Sequence, residues 1–151
     1  EQARALVNYL FARPEVYAVS LPVPGAAEAA AWLHRRGLLK GYVTRRPERV
    51  MDTTAAWLSQ REFPRAPILP VGQDESKADA MRLLGAKVIV EDSPHEALDL
   101  AARGMSVILL EYPYNRALRD AGVMRAASWE AISRLLCLLP LDYRVKKEKT
   151  F

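Results

Sequence analysis

The feature that most constrains this chain is a rhythm. From residue 39 onward, short apolar, β-rich runs alternate with segments of helical periodicity, the pattern of a parallel sheet crossed by helices. The runs cover residues 39–43, 67–71, 87–90 and 106–110. Pro47, a favoured first-turn residue, opens a helix through Val50, Met51, Ala55 and Leu58. A second helix spans residues 76–84 and is closed by Gly85, where a left-handed residue belongs. Ser93 caps a third, with Pro94 at its first position, Ala97, Leu98, Leu100 and Ala101 inside and Gly104 at its end. After a loop at 111–116, the last helix covers residues 128–138 with Trp129, Ile132, Leu135 and Leu136 at core spacing.

The first two dozen residues have another texture. Residues 3–11 read as a helix and 16–21 as an extended segment. Pro22, Pro24 and Gly25 form a turn before a helix at 26–36 that Gly37 ends. Residues 1–24 are expected to form a small lid, a linker or the helical remnant of a cap.

A length of 151 residues suits one domain, 1–151, with one proper core. Half the residues are hydrophobic and 26% charged, which excludes a disordered tail or a collagen-like fibre. The apolar runs are far shorter than the roughly 20 residues that span a bilayer, and no signal-peptide pattern opens the chain, so a cytoplasmic address is expected and a membrane partner is not. The lone Cys137 lies among Leu135, Leu136, Leu138 and Leu139, where burial as a small hydrophobe is expected. Of the +4 net charge, residues 143–151 carry three through Arg144, Lys146, Lys147 and Lys149 against Glu148. A basic tail without interleaved aromatics gives no case for specific nucleic-acid binding.

In a doubly wound sheet ligands bind beyond the carboxyl ends of the strands, so the loops after the apolar runs are where chemistry is sought. Thr44-Arg45-Arg46-Pro47 offers a hydroxyl and free N–H groups at a helix start, a natural phosphate cradle. The ordinary alternative is that Thr44 or Arg46 introduces the helix and the arginines are solvated. Lys77 follows Asp74, Glu75 and Ser76 in a first helical turn, where a cation opposes the macrodipole and needs an anionic partner. A phosphate, a carboxylate from a neighbouring loop, or Asp74 and Glu75 themselves would each serve. Glu91 and Asp92 are adjacent carboxylates at a strand exit, where a cation such as Mg²⁺ would relieve their repulsion; they would also complement the following helix N-terminus.

Taken in order, Pro24-Gly25-Ala26, Tyr42-Val43-Thr44-Arg45-Arg46-Pro47, Lys77-Ala78-Asp79, Val90-Glu91-Asp92-Ser93-Pro94 and Tyr112-Pro113-Tyr114-Asn115 resemble the haloacid-dehalogenase-like (HAD) phosphohydrolase superfamily. Within it the chain is most similar to the 5′-nucleotidase and deoxyribonucleotidase-related group, over residues 16 to 137. The resemblance implies a Rossmann-like α/β fold, a mostly parallel sheet with helices on both faces and a small N-terminal helical cap remnant. It also implies a Mg²⁺-dependent phosphatase that works through an aspartyl-phosphate on a phosphorylated small molecule such as a nucleoside monophosphate. Carried onto this chain, Thr44 would bond a phosphate oxygen and Lys77 would neutralise the transferring group. Asp92 would ligate Mg²⁺ with Glu91 as an outer or alternate ligand, and Arg45 or Arg46 would lend charge near the leaving group. A homodimer is compatible with the reading.

One motif of the superfamily is missing. Its Asp-x-Asp, which supplies nucleophile and general acid/base, occurs nowhere in the chain. The expectation is that it lies upstream of residue 1, on a strand seated between the one ending at Thr44 and the one ending at Glu91. Without that strand the sheet should split into two pieces with unpaired inner edges. The alternative is a catalytically inactive HAD-like domain that binds an anion or a protein partner.

Overall fold

The computed structural model describes residues 9–11, 13–120 and 122–138, which form an α/β layer structure with every strand pair parallel. The helices are α1 (Pro14–Ala18), α2 (Ala26–Arg35), α3 (Met51–Gln60), α4 (Lys77–Leu83), α5 (Pro94–Ala102) and α6 (Trp129–Leu138). The strands are β1 (Tyr42–Thr44), β2 (Ile68–Pro70), β3 (Val88–Glu91), β4 (Ser106–Leu110) and β5 (Val123–Ala126). Single 3₁₀ turns stand at Glu48–Val50 and Pro113–Asn115.

The strands form two sheets. Among the described residues β1 pairs only with β2, in the register Tyr42 to Ile68 and Thr44 to Pro70. β3, β4 and β5 lie side by side in that order, Val88 opposite Ser106 and Val107 opposite Val123. Among the described residues neither β1 nor β2 pairs with β3, β4 or β5, so the strands are split into two sheets. β2 ends in Pro70, which has no N–H to give and so suits an edge strand.

β4 carries the core. Its residues alternate between faces, so Val107 and Leu109 pack with Ala78, Met81, Ala97, Leu100 and Val123 on one side. Ile108 and Leu110 pack with Ala126 and Ile132 on the other, where Trp129, Leu135 and Leu136 join them. Both faces are covered, which is why this strand reads as an unbroken apolar run. The sheet is therefore flanked by α4 and α5 on one face and α6 on the other, the Rossmann-like arrangement that the resemblance implies. Gly85 and Gly104, with φ of +62° and +77°, end α4 and α5 in the left-handed conformation expected of them.

Three readings need correction. Residues 16–21 are not an extended segment: Pro14 fixes the first turn of a helix that runs to Ala18, and the buried Tyr17 donates its hydroxyl to the carbonyl of Phe11 at 2.7 Å. Tyr9, Leu10 and Phe11 are helical as expected; the rest of the helix assigned to residues 3–11, like the basic tail, lies outside the described residues. Cys137 is exposed, because the apolar stripe of α6 turns Ile132 to the sheet and leaves position 137 outward. β5 was not expected at all. Arg125 interrupts its apolar pattern, and the strand tolerates it because the guanidinium is held by Glu111 at 2.9 Å and by the carbonyls of Asn115 and Leu118.

Candidate functional site

Lys77 is the first residue of α4, set there by Ser76. The Ser76 hydroxyl accepts the N–H of Ala78 at 3.2 Å and donates to Asp99 Oδ2 at 2.6 Å, tying the start of α4 to α5. Lys77 is only 7% exposed, and its ammonium is bonded to Glu91 Oε1. Glu91 ends β3, is equally buried, and accepts the N–H groups of Asp92 and Ser93 on Oε2 at 3.1 and 3.3 Å. Three donors thus satisfy a buried carboxylate that would otherwise be costly. The partner that Lys77 requires is the carboxylate at the end of β3, and the cation bonded to Glu91 is this ammonium.

Asp92 is exposed while Glu91 is buried, so adjacent carboxylates occupy different environments. Two residues from the loop after β4 hold Asp92. Tyr114 donates its hydroxyl to Oδ2 at 2.5 Å, and Asn115 donates Nδ2 to the main-chain carbonyl at 2.8 Å. Asn115 is 1% exposed; its Nδ2 also reaches the carbonyl of Leu110 at 2.9 Å, and its Oδ1 accepts the N–H of Tyr112 at 3.0 Å. Tyr114 stacks on Tyr112 with ring centroids 5.5 Å apart and planes within 3°. Desolvation first, then the bond to Asp92, raises the Tyr114 hydroxyl pKa well above the usual tyrosine range, so it stays a donor. Sequence reasoning gave no role to Tyr114 or Asn115, although the segment Tyr112-Pro113-Tyr114-Asn115 was legible as a motif.

At the end of β1, the Thr44 hydroxyl accepts the N–H of Arg46 at 3.1 Å, a local turn that leaves its own hydrogen to donate. The arginines diverge. Arg45 forms a two-pronged pair with Glu96 in the first turn of α5, at 2.8 and 3.0 Å, and also donates to the carbonyl of Gly72 after β2. It therefore gathers the loops that follow β1, β2 and β3. Arg46 turns to the N-terminal segment: its guanidinium lies 4.6 Å from the Tyr17 ring centre and 5.4 Å from that of Trp57, and donates to Thr54 at 3.3 Å. Burial lowers its pKa. Both guanidiniums are engaged by the protein itself. The structure brings Lys77, Glu91 and the main chain of Asp92 into one chain of contacts, while Arg45, next to Thr44, is bonded to Glu96 and to the carbonyl of Gly72.

A cleft of about 560 Å³ opens beside α4, lined by Asp74, Glu75, Ser76, Asp79 and Arg103 among others. None of Thr44, Lys77, Glu91 and Asp92 lines it, and its acidic rim does not suit a phosphate. Among the described residues there is no cluster of three or more acidic, His or Cys side chains to cage a metal. The donor chemistry at Asp92 nevertheless fits Mg²⁺, which takes one or two carboxylates and fills its remaining positions with water and phosphate oxygens. Among the described residues, no helix is long and apolar enough to cross a membrane.

The family model described as 5′ nucleotidase, deoxy (pyrimidine), cytosolic type C, matches residues 1–141. A candidate nucleotidase of Oceanobacillus iheyensis is 30% identical over 105 residues, 68% of this chain and 56% of its own length. A nucleotidase of Clostridium acetobutylicum is 26% identical over 60% of this chain and 47% of its own. A candidate nucleotidase of Halalkalibacterium halodurans is 32% identical over 58% of this chain and 45% of its own. The chain thus spans about half the length of the curated relatives it matches. No solved structure matches it significantly.

Proposed function

Since this chain belongs to the 5′ nucleotidase, deoxy (pyrimidine), cytosolic type C family, within the HAD-like group, we propose that the protein is a Mg²⁺-dependent phosphatase acting on nucleoside monophosphates in the cytoplasm. The observation that carries the reading is the contact chain Lys77–Glu91–Asp92 at the carboxyl end of β3; Thr44 stands at the corresponding end of β1. A parallel α/β sheet presents its ligand site there.

The chain's own residues then have distinct work. The Thr44 hydroxyl donates to a phosphate oxygen. Lys77, held by Glu91 and screened from water, places a fixed positive charge where negative charge develops during transfer. Glu91 anchors Lys77 through one oxygen and the Asp92 loop through the other. Arg45 keeps the loops in register through Glu96. Asp92 would hold Mg²⁺, which when bound supplies charge stabilisation to the phosphate oxygens.

The nucleophile belongs, on this reading, to an Asp-x-Asp strand N-terminal to residue 1, seated between β1 and β3. Each sheet has edge strands with no partner on one side among the described residues, which is what such a strand needs in order to pair on both sides. In the full-length protein, Asp92→Asn should reduce Mg²⁺-dependent hydrolysis of a generic aryl phosphate at least a hundredfold with the thermal midpoint unchanged. Undiminished activity would remove the metal assignment.

The absence of Asp-x-Asp from these residues favours a second reading, an inactive domain that binds an anion or a protein. A native protein with an intact mass near 16.9 kDa and no phosphatase activity would establish it.

A further inference from the structure

The loop after β4 touches the proposed metal ligand twice. Tyr114 and Asn115 are consecutive. One is 62% exposed and grips the Asp92 carboxylate; the other is 1% exposed and grips the Asp92 carbonyl.

Their arrangement is specific. Asn115 is locked by three backbone groups, the carbonyls of Asp92 and Leu110 and the N–H of Tyr112, so it joins the exits of β3 and β4 as one unit. Its own carbonyl is taken by Arg125 at 3.3 Å, which extends the unit to β5. Upon this base the Tyr114 ring lies parallel to Tyr112, which limits its rotation, and its hydroxyl reaches Asp92 Oδ2 at 2.5 Å. Asp92 sits on the surface, where an unrestrained carboxylate would sample several rotamers.

We propose that Tyr114 is a positioning residue for metal binding: its hydroxyl holds Asp92 Oδ2, fixes the carboxylate rotamer and presents Oδ1 to the cation, while Asn115 holds the main chain beneath. The proposal rests on Asp92 as a Mg²⁺ ligand, assigned above. Outer partners that orient a ligating carboxylate commonly contribute a factor of about 10 to 100 in metal affinity.

The test is Mg²⁺ binding measured by isothermal titration calorimetry on the full-length protein, with Tyr114→Phe, Asp92→Asn and their combination. Tyr114→Phe keeps the stacked ring and removes only the hydroxyl, and an exposed ring leaves folding intact, which the thermal midpoint checks. The expected result is a roughly tenfold or greater weakening in Tyr114→Phe, near-complete loss in Asp92→Asn, and no further loss in the double variant. Tyr114→His, which can also donate a hydrogen bond, should recover part of the affinity. Unchanged or tighter binding in Tyr114→Phe, with loss in Asp92→Asn, overturns this inference and leaves the metal assignment standing. Unchanged binding in Asp92→Asn overturns the metal assignment itself.

Discussion

The buried pair Lys77 and Glu91 shows how one contact serves both fold and chemistry. Removing the ammonium leaves a buried carboxylate with two backbone N–H partners, and breaking such a pair costs about 3 kcal/mol or more. Lys77→Met should therefore lower unfolding free energy in a urea titration by that order, and the Lys77→Met/Glu91→Gln double variant should regain part of it. If the single variant is as stable as the parent, the pair is not the buried unit described here. In the full-length protein, assayed where the variant is folded, Lys77→Met should depress kcat far more than it raises KM, because a fixed charge matters most as the phosphoryl group transfers. An effect confined to KM contradicts the role. Lys77 was legible in the sequence as a cation in need of an anion. That Glu91 meets that need, 14 positions away, depends on how α4 lies over β3, which no local pattern encodes. Asn115 was less legible still: a lone asparagine after Tyr-Pro-Tyr gives no sign that its three partners are backbone groups of Leu110, Tyr112 and Asp92.

The helix from Pro94 is closed by local chemistry and is legible in the sequence, whereas Pro47, expected to open a helix, is the extended residue before a 3₁₀ turn and the α-helix begins at Met51. Ser93 accepts the N–H of Glu96 at 3.4 Å, Pro94 begins α5 and Gly104 ends it, all within one short stretch of chain. Ser76 adds a bond to Asp99 across to α5, so Ser76→Ala should cost about 1 to 2 kcal/mol, loss of a cap and a helix-to-helix contact together. A ΔΔG near zero in chemical denaturation would show that water replaces both. In β1, the Tyr42 hydroxyl donates to the carbonyl of Pro64 at 2.8 Å, and burial raises its pKa from 10.0 to about 12. Ionisation is then easier in the unfolded chain than in the folded one. The stabilisation is complete below pH 10 and is lost as the pH rises toward 12. Tyr42→Phe should flatten the alkaline limb of the stability curve in that window; an identical limb would assign it to other groups. The strand β5 and the short helix α1 escaped the sequence because Arg125 broke one apolar run and Val16 and Val19 imitated another.

In the whole molecule, the separation of β1 and β2 from β3, β4 and β5 is the dominant feature, and Arg45 after β1 is tied to Glu96 in α5, the helix that follows β3. If a strand pairs there in the full-length protein, the amides of residues 42–44 and 88–91 should exchange slowly with solvent, as in a continuous sheet. Rapid exchange on those inner edges would leave the strand without a seat. Local pattern alone carried the α/β class, the order of most elements and most of the caps and glycine stops, because periodicity and capping act over a few residues. Packing of distant segments set the rest: Glu91 is buried on Lys77 while Asp92 stays at the surface, Arg45 and Arg46 part company, and Tyr114 reaches back to Asp92. Those outcomes depend on which distant segments the closing of the core brings within hydrogen-bonding range.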